Sequence, residues 1–352
     1  MSDLATNYLG AAIFWSYILA ALAFTGIAIH TILKIKPLPP TRPRNNDDAK
    51  LHAQSLRLFT LLATLSFTLL SANMLHVLIH SFEHWHSTLP LPHTHHETQQ
   101  SALTVWLSLT WHWSTTSSLF QDFAHAILAT PARRIWTFSE LGLAMFVCLY
   151  MGQEGRKRQV PRLYVFFALS QILPVSFAQG LFYLAVLRLE GGGGGEGRGR
   201  WSRDHVLKEE GSGRVLGLSS GWVAGTCLAY GACIVAACLL VETGFLMPLV
   251  LVARLLLLAP RLLPLRFYAE DTVAVRAVRT ALPLFALFMV GYTSVTAVLD
   301  EDHGLSIPRA LFSHPAVSSL GCDAVLSVIS LALWNKINAQ DERTETLREK
   351  SK

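Results

Sequence analysis

The sequence predicts an all-α fold, a polytopic bundle of transmembrane helices. Three observations carry that prediction. Apolar runs such as 9–33, 163–187 and 220–241 can each cross a bilayer, because about 20 apolar residues match a hydrocarbon core of roughly 30 Å. Of 352 residues, 51% are hydrophobic and 15% charged, with a mean hydropathy of +0.38. That leaves too little polar surface to cover a soluble globule of this size. Lysines and arginines gather beside the runs, six in 34–57, six in 188–214 and four in 261–279, as they do in cytoplasmic loops.

Taken in order, the runs predict about nine spans, at 9–33, 57–81, 103–128, 135–153, 163–187, 220–241, 244–260, 278–299 and 315–335. The first has no basic segment before it and is too long for a signal-peptide core, so it is expected to remain as an anchor. The third contains the polar stretch 111–118, and the seventh is short and carries Arg254. Seven to nine crossings therefore stay open. The basic bias puts the N-terminus in the lumen and the C-terminus in the cytoplasm, with the endoplasmic reticulum as the expected membrane. Arg156, Lys157, Arg158 and Arg162 then fall on the luminal side against that bias, unless the third run does not cross. Five consecutive glycines within 190–214 mark a flexible connector. It separates a five-span half, 1–189, from a four-span half, 215–352, that ends in a short basic tail.

The net charge of +5 belongs to these loop segments, so no nucleic-acid partner is expected. Cys148, Cys227, Cys233, Cys238 and Cys322 all lie inside apolar runs, where cysteine acts as a small hydrophobe. Neither a phosphate-binding Gly-x-x-x-x-Gly-Lys-Ser/Thr loop nor a Gly-x-Ser-x-Gly elbow occurs. Asp47-Asp48 continues as Ala-Lys-Leu, which is no magnesium-diphosphate site.

Candidate chemistry lies in the polar residues that lipid would reject. A charge at the bilayer centre costs at least about 2.5–3.5 kcal/mol, which singles out Asp122, Glu140, Asp323 and Glu242, the last read as a loop residue between two spans. Asp122 shares a helical face with Ser118 and His125. Glu140 follows the tight turn Pro131-Ala-Arg-Arg134 near the same membrane side, so the two acids could meet in one polar pocket, or each could pair with Arg133 and Arg134 at the interface. Asp323 sits about three turns into the last span, beside Gly321 and Cys322.

Asn73, His76, His80 and His84 fall on one arc of a helix, with Ser66 continuing the stripe inward. Imidazoles four residues apart can share a metal, and His86, His93, His95 and His96 follow in the next loop. The alternative is a polar face leading into a solvated loop. In the fifth span Pro174 removes a backbone donor and bends the helix, so Gln171, Ser176 and Gln179 could line an internal cavity or simply bond neighbouring helices.

The segment 111–187, with Ser118-Leu-Phe-Gln-Asp122, Arg133-Arg-Ile-Trp136, Glu140 and Gln171-Ile-Leu-Pro-Val-Ser-Phe-Ala-Gln-Gly-Leu-Phe182, resembles fungal integral-membrane terpene cyclases of meroterpenoid pathways. These are the cyclases of macrophorin and ascochlorin type. The resemblance implies proton-initiated cyclisation of a farnesyl chain on a phenol or epoxycyclohexenone, with no diphosphate loss and no cofactor. It implies a lipophilic isoprenoid substrate taken from the membrane lipid. Asp122 or Glu140 would donate the proton, with His125 tuning or relaying it. Asp323, Gln171, Ser176 and Gln179 would orient substrate oxygens or accept the final proton. Trp111, Trp113, Phe120, Phe123, Trp136 and Phe182 would offer π faces to the carbocation. The alternative class is a transporter, possibly of a metal held by His76, His80 and His84.

Overall fold

The computed structural model describes residues 7–35, 46–88, 102–117, 119–190, 220–240, 245–258, 291 and 307–350. Every regular element among them is helical, as the apolar runs require. The helices are α1 (Tyr8–Lys34), α2 (Asn46–Thr88), α3 (Ala102–Thr116), α4 (Leu119–Leu128), α5 (Pro131–Lys157), α6 (Leu163–Ile172), α7 (Val175–Glu190), α8 (Ser220–Leu239), α9 (Leu246–Leu256), α10 (Ile307–Leu311) and α11 (Pro315–Lys350).

Four of them hold segments that are long and apolar enough to cross a membrane: Tyr8–Lys34, Ala49–Thr88, Pro131–Arg156 and Pro315–Gln340. Of the other predicted spans, 220–241 forms the single 20-residue α8 (Ser220–Leu239), and the rest are not single membrane-length helices among the described residues. The run 103–128 breaks at Ser117 into α3 and α4. There the hydroxyls of Ser114, Thr115 and Thr116 bond back to the carbonyls of Trp111 and His112, which lets the backbone leave the helix. The run 163–187 breaks at Leu173-Pro174 into α6 and α7, because proline has no N–H to continue the ladder and disfavours helix in the residue before it. The run 244–260 forms only the 11-residue α9. The run 278–299 lies outside the described residues apart from Gly291, as do His93, His95 and His96 and most of the 190–214 connector.

At the centre α7 packs along α2 and α11, while α11 also packs on α2 and α5, and α1 lies against α6. Small residues allow the closest approach. A Cβ placed on Gly180 would stand 3.0 Å from the Cβ of Ala63, so α2 and α7 touch almost backbone to backbone. Below this contact Phe59, Phe166, Phe182, Tyr183 and Trp334 are buried together, with Tyr183 and Trp334 stacked at 4.5 Å. Arg158 covers Trp334 and pairs with Glu154 at 2.7 Å.

The α4–α5 hairpin is locked by its own arginines. Thr130 caps α5 with Pro131 in the first turn. The Arg133 guanidinium donates to the carbonyl of Ala126 at 3.1 Å and Arg134 to that of Leu128 at 2.8 Å. Both therefore close off the carboxyl end of α4, where unpaired carbonyls and the helix dipole favour a cation.

Candidate functional site: a buried carboxyl pair at a broken helix

The break at Pro174 exposes the first N–H groups of α7 inside the bundle, where no water is at hand to bond them. Asp323 of α11 fills that need. Its Oδ2 accepts from Val175 N–H at 2.7 Å and its Oδ1 from Ser176 N–H at 2.8 Å. A carboxylate at a helix amino end also meets the positive pole of the peptide dipoles. Ser176 is further tied to Ser66 of α2 through their hydroxyls, so three helices converge on this point.

Glu140 of α5 reaches the same place. It is buried, and its carboxyl stands close enough to that of Asp323 for the two to interact electrostatically. Glu140 Oε2 meets no donor among the described residues. Gly321 makes the approach of α5 possible, since a Cβ there would stand 3.1 Å from the Trp136 ring. Trp136 and Glu140 are four residues apart on one face of α5.

A narrow crevice lies beside the pair between α2 and α11, lined by Ser66, Leu69, Leu70, Pro174, Ser319, Cys322, Asp323 and Leu326. It is too tight for even a water-sized guest, so α2 and α11 must part to admit a ligand. Ser319 points a buried hydroxyl into this region with no partner among the described residues.

His314 immediately precedes α11. Its Nδ1 accepts from Ala316 N–H at 3.1 Å, and its carbonyl accepts from Val317 and Ser318 at 3.0 Å each. Arg133 holds the adjacent Ser313 hydroxyl at 3.0 Å. Burial, then the charges of Arg133, His80 and His76, push the His314 imidazole below its ordinary range.

Several predicted positions fall elsewhere. Asp122 is exposed on α4, so the acid that joins Glu140 in a shared pocket is Asp323 and not Asp122. Two interruptions of the chain, at Ser117 and at Ala129-Thr130, leave α4 too short to turn Asp122 into the core. His125, on the same helix, is half-buried. Gln179 is fully buried and donates to the Tyr183 hydroxyl at 2.8 Å, while half-buried Gln171 donates to Ser170 at 3.2 Å. Both flank the break outside the crevice lining, and the Oε1 of each has no partner among the described residues.

The aromatic residues do not gather around the acids. Trp111 is exposed, and Trp113 packs on Phe14 and Phe82. Phe182 belongs to the Tyr183 cluster, the Phe120 side chain is outside the described residues, and Phe123 is half-buried. Among the described ones, Trp136, donating to the Ile307 carbonyl at 2.9 Å, stands beside the pair. The separation arises because α3 packs on α1 and α2 and carries its tryptophans there. His76, His80 and His84 are exposed on α2, and no group of three metal-ligating side chains converges among the described residues.

Fold and site together define a membrane-associated helical bundle with a carboxyl pair buried at a broken helix. No family model, curated protein or solved structure matches the chain.

Proposed function

We propose that the chain is a terpene cyclase of the endoplasmic-reticulum membrane, which protonates the epoxide or terminal alkene of a prenylated phenol or epoxycyclohexenone and so starts ring closure. The contact between Glu140 and Asp323 carries this reading. Two carboxyl groups facing each other without an intervening donor are satisfied when one proton lies between them, because two negative charges at that distance repel. The donors from Val175 and Ser176 favour charge on Asp323, which leaves the proton with Glu140. Glu140 is then the proton donor, and Asp323 fixes its orientation and stabilises the charge left behind. Protonating an epoxide oxygen, or an alkene carbon, generates the cation that the chain's remaining double bonds attack. No metal, cofactor or diphosphate departure enters that step.

The test is conversion of a farnesylated phenol or its terminal epoxide in microsomes. Glu140→Gln should abolish formation of the cyclic isomer while the protein level is unchanged, and Asp122→Asn should leave turnover near wild type. Full activity of Glu140→Gln removes it as the donor.

One observation favours proton-coupled transport as a second reading: the broken α6–α7 helix aims its amino end at an acid, an arrangement used by secondary transporters. Recovery of the added compound chemically unchanged but moved across sealed vesicles distinguishes that outcome from isomerisation.

A further inference from the structure

Phe166 of α6 and Phe182 of α7 meet ring to ring at 6.0 Å, although sixteen positions separate them in sequence. In one continuous helix they would stand about 24 Å apart, so the chain turns back at Leu173-Pro174 and α6 and α7 form an antiparallel hairpin. Residues 175–187 of α7 are all buried, the condition under which a broken backbone is tolerated at membrane depth. Contacts with neighbouring helices fix the hairpin's direction. At its tip Val175 and Ser176 meet Asp323, and Ser176 meets Ser66. About two turns along α7, Tyr183 meets Phe59, Tyr150 and Trp334. Hence α5 and α11 run parallel to α7, and α2 runs against it. The starts of α2 and α6, the ends of α5 and α7 and the part of α11 beyond Trp334 all lie at the open end of the hairpin. From Ser66 back to Arg57 is nine residues, about 14 Å along α2, or half of a hydrocarbon core of roughly 30 Å. The hairpin thus enters and leaves on one side and reaches about the midplane.

Cations ring that open end. Arg57 precedes Phe59 by two residues, Lys336 follows Trp334 by two, Arg162 stands at the start of α6 and Arg188 near the end of α7. Arg57, Arg162 and Lys336 are exposed and Arg188 is half-buried, and none of the four pairs with a carboxylate among the described residues. Arg158, by contrast, is spent within the fold, over the Trp334 ring at 5.3 Å and paired with Glu154. We propose that the open end of the α6–α7 hairpin is the cytoplasmic face of the protein and that Arg57, Arg162, Arg188 and Lys336 seat it on the anionic headgroups of that leaflet. A full crossing by the fifth run would put Arg156, Lys157, Arg158 and Arg162 on the side opposite Arg57 and Lys336. The re-entrant turn brings them together, as the bias of basic residues toward the cytoplasm requires. Guanidinium groups bind phosphate oxygens in pairs, and the cytoplasmic leaflet carries the negative surface potential that attracts them. Nothing in this docking depends on the chemistry of Glu140 and Asp323.

The experiment has two arms, both on the full chain. Gln159→Cys in the turn between α5 and α6, Asn335→Cys on α11 and Thr88→Cys at the far end of α2 each alter an exposed position. Intact microsomes carrying one variant at a time are treated with a membrane-impermeant maleimide and compared with wild type. Gln159→Cys and Asn335→Cys should label directly, and Thr88→Cys only after permeabilisation. Opposite sides for Gln159→Cys and Asn335→Cys overturn the re-entrant hairpin. Labelling of those two only after permeabilisation, or direct labelling of all three, overturns the cytoplasmic assignment. In the second arm, spin-labelled phosphatidylserine should associate with the reconstituted protein at least about fivefold more strongly than spin-labelled phosphatidylcholine, the worth of one basic side chain at an anionic surface. The preference should vanish in about 1 M salt, where charges are screened beyond roughly 3 Å, and Arg162→Gln combined with Arg188→Gln and Lys336→Gln should remove most of it. Equal association of the two lipids, or a preference indifferent to salt, overturns the docking. The salt response is read on the unaltered chain, so the test stands even where the triple variant fails to fold.

Discussion

Asp323 and Ser176 are 147 positions apart in sequence and meet in the bundle interior, where the carboxylate of Asp323 caps the amino end of the helix that holds Ser176. Asp323 thereby acts twice, as the cap that the Pro174 break demands and as the partner of Glu140. Stability and the proposed proton transfer thus meet in a single side chain.

Removing that cap leaves two N–H groups buried without an acceptor. Asp323→Ala should therefore destabilise the protein by about 2–4 kcal/mol, since each orphaned donor costs on the order of 1–2 kcal/mol. Asp323→Asn keeps one acceptor oxygen and should lose about half as much. Thermal unfolding of the detergent-solubilised protein, followed by tryptophan fluorescence, ranks the two.

Gly321 sets the distance between the acids. A methyl group there meets Leu311 and the Trp136 ring, so Gly321→Ala should push α5 outward and take Glu140 with it. Turnover should fall at least about tenfold for a stability loss of about 1–3 kcal/mol, the usual range for overpacking. Trp136→Phe in the same chain should recover part of the activity by yielding space. Equal turnover of Gly321→Ala and wild type would mean that the pair tolerates separation.

His314 makes stability depend on pH. Its folded-state value is depressed, so as pH falls the unfolded chain, near the ordinary value of roughly 6.5, takes up its proton first. Stability is complete above that value and declines as the pH drops toward the folded-state value. Unfolding temperatures measured between pH 7.5 and 5.5 should fall, and His314→Asn, which retains a capping side chain without titrating, should flatten the decline.

α2 and α11 must part if the crevice receives a guest. Leu70→Cys faces native Cys322 across the crevice, and a short reducible thiol cross-linker between them should stop turnover, with recovery on reduction. The same treatment in a Cys322→Ser background should have no effect. Undiminished activity of the cross-linked protein would exclude entry between α2 and α11.

Much of the framework was readable in the residues. Apolar run length predicted α1, α2, α5 and α11, since a segment that cannot expose its peptide groups to lipid must satisfy them internally as helix. Pro174 announced a bend in the fifth run, where the structure has a full break, and the rarity of buried acids singled out Glu140 and Asp323 together with Asp122 and Glu242. The periodic signal was weaker where hydroxyls compete for backbone carbonyls, which is why Ser114 to Thr116 split one expected span into α3 and α4. Ser319, Leu69 and His314 went unnoticed, although Ser319, Cys322 and Asp323 share a helical face that a search for polar stripes on α11 would have found.

Hydropathy and chain chemistry sufficed to require a helical membrane bundle holding a few costly acids. Which acid faces which depended on packing between distant segments. Gly321 admits Trp136 and brings Glu140 inward, Gly180 draws α2 onto α7, and the free amino end of α7 claims Asp323. Such pairings arise from interhelical distances and burial, which local sequence does not encode, and they move the shared pocket from Asp122 to Asp323.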